Sequence, residues 1–112
     1  MAYHSYQPND ATLVLSLEGR LDAELAVQVS ASWEENRQIR NIVVDLSQVT
    51  VIDSPGLAAL VSGQSHARDR DGDLILANLS EAAATILALT GLNHTFEIAP
   101  SVENALARFG AA

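Results

Sequence analysis

The chain has 112 residues, 48% of them hydrophobic and 18% charged, a composition that supports one core and one compact domain over residues 1–112 and argues against disorder. Fourteen acidic residues face six basic ones, all arginine, for a formal net charge of -8; with no arginine stripe, nucleic acid and anionic membrane are poor partners and no nucleic-acid binding is expected, while a basic protein surface would be attracted. The absence of cysteine removes disulfides, thiol catalysis and cysteine-bound metal.

MAYHSYQPND lacks the charged and apolar blocks of a signal peptide, and no apolar run approaches the roughly 18 residues of a spanning helix. A cytoplasmic protein without direct membrane insertion is expected. Tyr3 to Gln7 reads as an edge strand cut short by Pro8. In ATLVLSLEGRLD, Leu13, Leu15 and Leu17 alternate with Val14 and Ser16 up to Gly19, the pattern of a half-buried strand. Asp22 then caps a helix running to Arg37, with Glu24 in its first turn and Leu25, Val29 and Trp33 on one face. NIVVDLS is a short β-branched run suited to a strand covered on both faces.

After a turn at Ser54, Leu57, Leu60 and Val61 form a second helical stripe that fades into HARDRDG, where Gly72 offers a stop. DLILAN reads as another buried strand. Ser80 and Glu81 open a third helix with Ala83, Ile86 and Leu87 on one face and a Gly91 stop. TFEIA is a weak last strand, and SVENALARF is a short helix capped by Ser101. The order β-β-α-β-α-β-α-β-α predicts an α/β fold: a mostly parallel mixed sheet of about five strands with about four helices and an added antiparallel edge.

Catalytic signatures are missing. The chain has no G-x-x-x-x-G-K-[ST] loop, no G-x-G-x-x-G after a strand and no G-x-S-x-G around Ser54, so no enzyme activity, catalytic residue or cofactor is expected. His4, His66 and His94 lack the spacing that lets a helix hold a metal, and no metal site is expected. Asp45 and Asp53 sit at strand ends, where a desolvating cleft could tune a carboxylate, but each is equally explained as a turn or capping residue.

Ser54 is the residue of most interest. As an N-cap its hydroxyl would accept a bond from an early helix amide, and Pro55 at the first helical position would lose no needed donor. That reading leaves Gly56 unexplained, because glycine is a poor helix former whose bare backbone would let another molecule approach. Gly63, inside the same helix, calls for close packing by a neighbour or a partner. A phosphate on Ser54 would bring about -1.5 to -2 charges to a helix N-terminus, where free amides and the dipole favour an anion. The fold would survive and the surface would change, which describes a switch acting on binding.

LSQVTVIDSPGLAAL, with LEGRLD upstream and NLSEAAATILALTGL downstream, resembles the STAS domain of the anti-sigma factor antagonists over nearly the whole chain. The resemblance implies a STAS-like single domain whose turn serine, here Ser54, is phosphorylated by an anti-sigma factor that is also a serine kinase. It further implies that the unphosphorylated form binds that anti-sigma factor and frees the sigma factor, and that the phosphorylated form is inactive until a PP2C-type phosphatase returns it to the binding form. The partner-binding surface would hold Asp22, Asp53, Ser54, Pro55, Gly56 and Leu57. Pro55 is a departure, standing where many antagonists carry a second small polar residue.

The competing reading is a non-switching STAS subunit of a membrane lipid-transport ATPase complex, or another scaffold, in which Ser54 is only a cap. The two differ in whether Ser54→Asp loses a partner that Ser54→Ala keeps. An unrecognised enzyme or small-ligand binder has least support. Self-pairing through the uncovered edge strand, as a weak homodimer, is compatible with such a sheet.

Overall fold

A computed structural model describes residues 3–110; the first and last two positions of the span 1–112 assigned from sequence lie outside the described residues. Strands β1 (Tyr3–Asn9), β2 (Thr12–Leu21), β3 (Asn41–Ile52), β4 (Asp73–Ala77) and β5 (Glu97–Ala99) form one sheet in the order β1-β2-β3-β4-β5. β1 pairs antiparallel with β2, and every other neighbour pair is parallel. Helices α1 (Ala23–Glu34), α2 (Ser54–Arg68), α3 (Glu81–Thr90) and α4 (Val102–Arg108) alternate with the strands, and a 3₁₀ turn spans Leu92–His94.

Because the parallel strands follow one another without reversing direction, right-handed crossovers place α1, α2 and α3 on the same face. The main core lies there: Leu13, Leu15 and Leu17 of β2, Val44 and Leu46 of β3 and Leu74 and Leu76 of β4 pack under Val29, Trp33, Leu60 and Leu87. α4 crosses to the other face, where Ala105 packs with Val14, Val43 and Ile75. That cover corrects the reading of β2 as half-buried: Val14 is buried on the far face as fully as its neighbours are on the near one. The alternation is real, but whether the second face meets water is decided by a helix about ninety residues downstream.

β3 runs on to Ile52, well past the NIVVDLS segment. Its pairing with β2 slips between Ser16/Glu18 and again between Gly19/Arg20, each time with one extra residue in β3. These bulges break the two-residue period, so the polar Ser47 and Gln48 look like the end of the strand. α1 stops at Glu34, short of Arg37. Its last residue Glu34 and its C-cap Glu35 are glutamates, which the negative end of the helix dipole disfavours, and the Asn36 side chain accepts from the Gln38 amide (3.0 Å) to turn the chain away.

α2 ends at Arg68, before Gly72. Gly63 answers to an internal neighbour: a Cβ there would lie 2.8 Å from Trp33 Cζ2 and 2.8 Å from Leu74 Cδ1. The caps expected at Ser80 and Ser101 are present, accepting from the Ala83 and Asn104 amides at 3.0 Å each. Gly91 ends α3 with a left-handed φ of 77°.

Candidate functional site

β2 and β3 finish side by side, Leu21 opposite Ile52, and the Asp53 amide donates to the Leu21 carbonyl at 3.0 Å. The residues that follow, Asp22 and Asp53, are therefore neighbouring N-caps of two helices that start at the same end of the sheet. They behave differently. Asp22 caps α1, accepting from the Leu25 amide at 3.0 Å. Asp53 has the extended backbone of an N-cap (φ -85°, ψ 170°), yet no side chain caps α2.

This corrects the expectation for Ser54. Asp53 holds the N-cap position and Ser54 is the first helical residue, with Pro55 after it. The first helical bond here runs from the Leu57 amide to the Asp53 carbonyl, 3.0 Å, and leaves the Ser54 and Gly56 amides without an intrahelical partner, Pro55 having none to offer. Ser54 and Pro55 are exposed, Asp22, Asp53 and Leu57 are half-buried and Gly56 is buried. A serine hydroxyl on an exposed first turn is open to modification, and removing it from any capping duty costs the helix nothing.

Gly56 has a structural reason that sequence reasoning missed. A Cβ at this position would lie 2.5 Å from the Leu21 carbonyl oxygen, 2.7 Å from Leu21 Cγ and 3.2 Å from Ile52 Cγ2. The glycine lets the first turn of α2, which carries Ser54, sit directly on the end of β2 at Leu21. Leu57 packs against the main core from the same turn. The contact joins residues 35 positions apart, and nothing local announces it.

The other polar candidates are dispersed. Asp45 accepts from the Ser47 amide at 2.9 Å, a turn role at the first bulge. His4 lies 4.0 Å from Glu18 on the exposed edge. His66, near the end of α2, reaches the Ile39 carbonyl at 3.2 Å; burial, followed by the nearby Arg70 charge, lowers its pKa below the usual 6.5. Among the described residues no group of three or more His, Cys, Asp or Glu could hold a metal ion, and no helix is long and apolar enough to cross a membrane.

Two grooves flank the Ser54 turn. One runs between α1 and α2 along Ala23, Val27, Pro55, Ala58 and Ser62, with Val27 72% exposed at its rim. The other lies between Thr50 and Val51 of β3 and Ala82, Thr85 and Ile86 of α3. Neither was singled out from sequence. An available signal was an apolar residue off its helix's core stripe, as Val27 is off the Leu25–Val29–Trp33 row.

Comparison with known proteins agrees with this geometry. A family model described as the STAS domain matches residues 3–105. The anti-sigma-B factor antagonist of Listeria monocytogenes is 33% identical over 82 residues, covering 71% of this chain and 72% of its own length. The structure of the anti-sigma factor antagonist SpoIIAA in its unphosphorylated form superposes with a TM-score of 0.85 at 21% identity, over 99% of this chain and 98% of that one. The phosphorylated form of SpoIIAA, a Bacillus cell fate determinant, gives a TM-score of 0.76 at 22% identity over 96% and 99% of the two chains.

Proposed function

The chain belongs to the STAS domain family, and from that premise we propose that it is an anti-sigma factor antagonist controlled by phosphorylation of Ser54. Unphosphorylated, it binds an anti-sigma factor that is also a serine kinase, and the sigma factor is released. The kinase passes the γ-phosphoryl group of ATP to Ser54 Oγ, which loses its proton, and ADP is left on the kinase. A PP2C-type phosphatase hydrolyses the phosphoserine and restores the binding form. The setting is cytoplasmic, and the chain itself is a binding protein without catalysis.

The observation that carries this reading is the position of Ser54: exposed, first in α2 and free of any capping bond, on a turn that Gly56 seats against Leu21 at the end of β2. Asp22, Asp53, Pro55 and Leu57 surround it as the partner-binding surface, and Gly56 shapes the turn. The switch follows from charge. A kinase that phosphorylates Ser54 must bring its nucleotide phosphates to this hydroxyl, so a phosphoserine carrying about -1.5 to -2 charges faces both the bound ADP and the carboxylate of Asp53. Like charges and added bulk then separate the partners. The name of the Listeria relative, an antagonist of an anti-sigma factor, and the two phosphorylation forms of SpoIIAA support the same assignment.

Paired baits test it. Wild type and Ser54→Asp are each used to capture partners from lysate with nucleotide present. An ATP-binding kinase retained by wild type and lost with Ser54→Asp is the expected outcome. Recovery of the same transporter or scaffold subunits by both baits would instead make this a constitutive interaction module.

A further inference from the structure

The crossover helices run back against the strands, so all four helices begin at the end of the sheet where the parallel strands finish. Helix dipoles favour carboxylates at that end and cations at the other; the arginines have segregated accordingly, while the carboxylates are divided, with Glu34, Glu35, Asp69, Asp71 and Asp73 at the far end beside the arginines. Asp22, Glu24, Asp53, Glu81 and Glu103 lie at N-caps or in first turns. Arg37, Arg40, Arg68, Arg70 and Arg108 lie at or beyond helix C-termini, leaving Arg20 as the one arginine near the acidic end.

One groove opens at this acidic end for a topological reason. β4 finishes at Ala77, paired with Asp45, while β3 continues to Ile52. Ser80 covers the first part of the overhanging edge: its amide donates to the Leu46 carbonyl (3.3 Å) and its hydroxyl to the Val49 carbonyl (2.7 Å). Past Val49 the cover stops, and Thr50, Val51, Glu81, Ala82, Thr85 and Ile86 line a groove of about 510 Å³. Leu89 continues the Ala82–Thr85–Ile86 row of α3 at helical spacing and is 79% exposed, more than any other large hydrophobic residue among the described ones.

We propose that this groove is an anchor for the anti-sigma kinase, receiving an apolar side chain flanked by lysine or arginine; the proposal rests on the function assigned above. The only charged lining residue is Glu81, and the surrounding end of the molecule is acidic, so a basic flank is complementary. A second copy of this chain would bring a net charge of -8 against the same end and is disfavoured for that reason. Val51 precedes Ser54 by three residues, at most roughly 10 Å of extended chain, which one partner surface spans easily. The anchor and the switch are thereby separate parts of one interface: the groove contributes to holding the kinase on the unphosphorylated chain, and a phosphate on Ser54 adds enough repulsion at the turn to outweigh that contribution.

The test measures binding of the purified, ADP-loaded kinase that wild type retains, using Thr85→Arg, Thr85→Ser and Glu81→Gln, each checked for an unchanged circular dichroism spectrum. Thr85 and Glu81 are exposed, so folding is not at stake. Thr85→Arg, which fills the groove with a cation, is expected to weaken binding by about tenfold or more, and Thr85→Ser by less than about twofold. Glu81→Gln is expected to weaken binding at low salt and to flatten its salt dependence. If Thr85→Arg binds like wild type while Ser54→Asp does not bind, the groove proposal is overturned and the function stands. If wild type binds no such kinase, the function fails and the anchor with it. A wild-type dimer that Thr85→Arg dissociates would give the groove to a second copy and also overturn the proposal.

Discussion

Gly56→Ala isolates the contact that positions Ser54. Alanine in place of glycine ordinarily stabilises a helix by about 1 kcal/mol. Here the added methyl would lie 2.5 Å from the Leu21 carbonyl oxygen and 2.7 Å from Leu21 Cγ. The first is backbone and cannot rotate away. Overpacking of this kind costs about 1–3 kcal/mol. Moving α2 outward also strains the 3.0 Å Asp53–Leu21 hydrogen bond, worth about 1 kcal/mol net. The unfavourable effects win, and the expected loss is about 1–3 kcal/mol, a Tm decrease of roughly 4–12 °C for a chain of this size.

Urea unfolding followed by Trp33 fluorescence and by circular dichroism measures that loss. Gly63→Ala is the control. It meets Trp33 and Leu74 at the same short range and is also expected to destabilise, but it lies two turns along α2 and leaves the Ser54 turn in place. Under conditions where both variants are folded, Gly56→Ala should bind the anti-sigma kinase more weakly and Gly63→Ala should bind it normally. A Gly56→Ala protein as stable as wild type would refute the packing argument, because helix propensity would then have prevailed over the contact.

Two further predictions concern the scaffold. The native state disfavours protonated His66 because of burial and then Arg70, so below pH 6.5 the unfolded chain binds the extra proton. The associated stability is present above pH 6.5 and is lost as the pH falls towards the lowered native value. His66→Gln, which keeps a donor for the Ile39 carbonyl, should flatten that part of a denaturation midpoint against pH profile. Ser80→Ala removes both the α3 cap and the 2.7 Å bond to the Val49 carbonyl; a loss of about 2 kcal/mol is expected in urea titration, and a loss under about 0.5 kcal/mol would show that Ser80 does not hold α3 to the β3 edge.

The element order was legible because the hydrophobic periods of β2, α1, β4 and α3 are local, and the caps at Asp22, Ser80 and Ser101 each act within three residues. What could not be read depends on distant contacts. Val14 is buried by α4, Gly56 is required by Leu21, and the overhang of β3 exists because β4 ends early. The distal half of β3 was hidden by two bulges that interrupt its alternation. At the site, Asp53, Ser54 and Pro55 are all suited to a helix start, so local chemistry located the turn without settling which residue occupies the cap. The structure gives that position to Asp53 and leaves the Ser54 hydroxyl free.

The most direct measurement is phosphorylation itself. The chain and the purified kinase are incubated with ATP, the modified residue is located by tandem mass spectrometry, and binding of the ADP-loaded kinase is compared before and after. The account predicts one phosphate, on Ser54, with loss of binding that a PP2C-type phosphatase reverses. Phosphate on another residue, or a phosphorylated Ser54 chain that still binds the kinase as tightly as before, would contradict it.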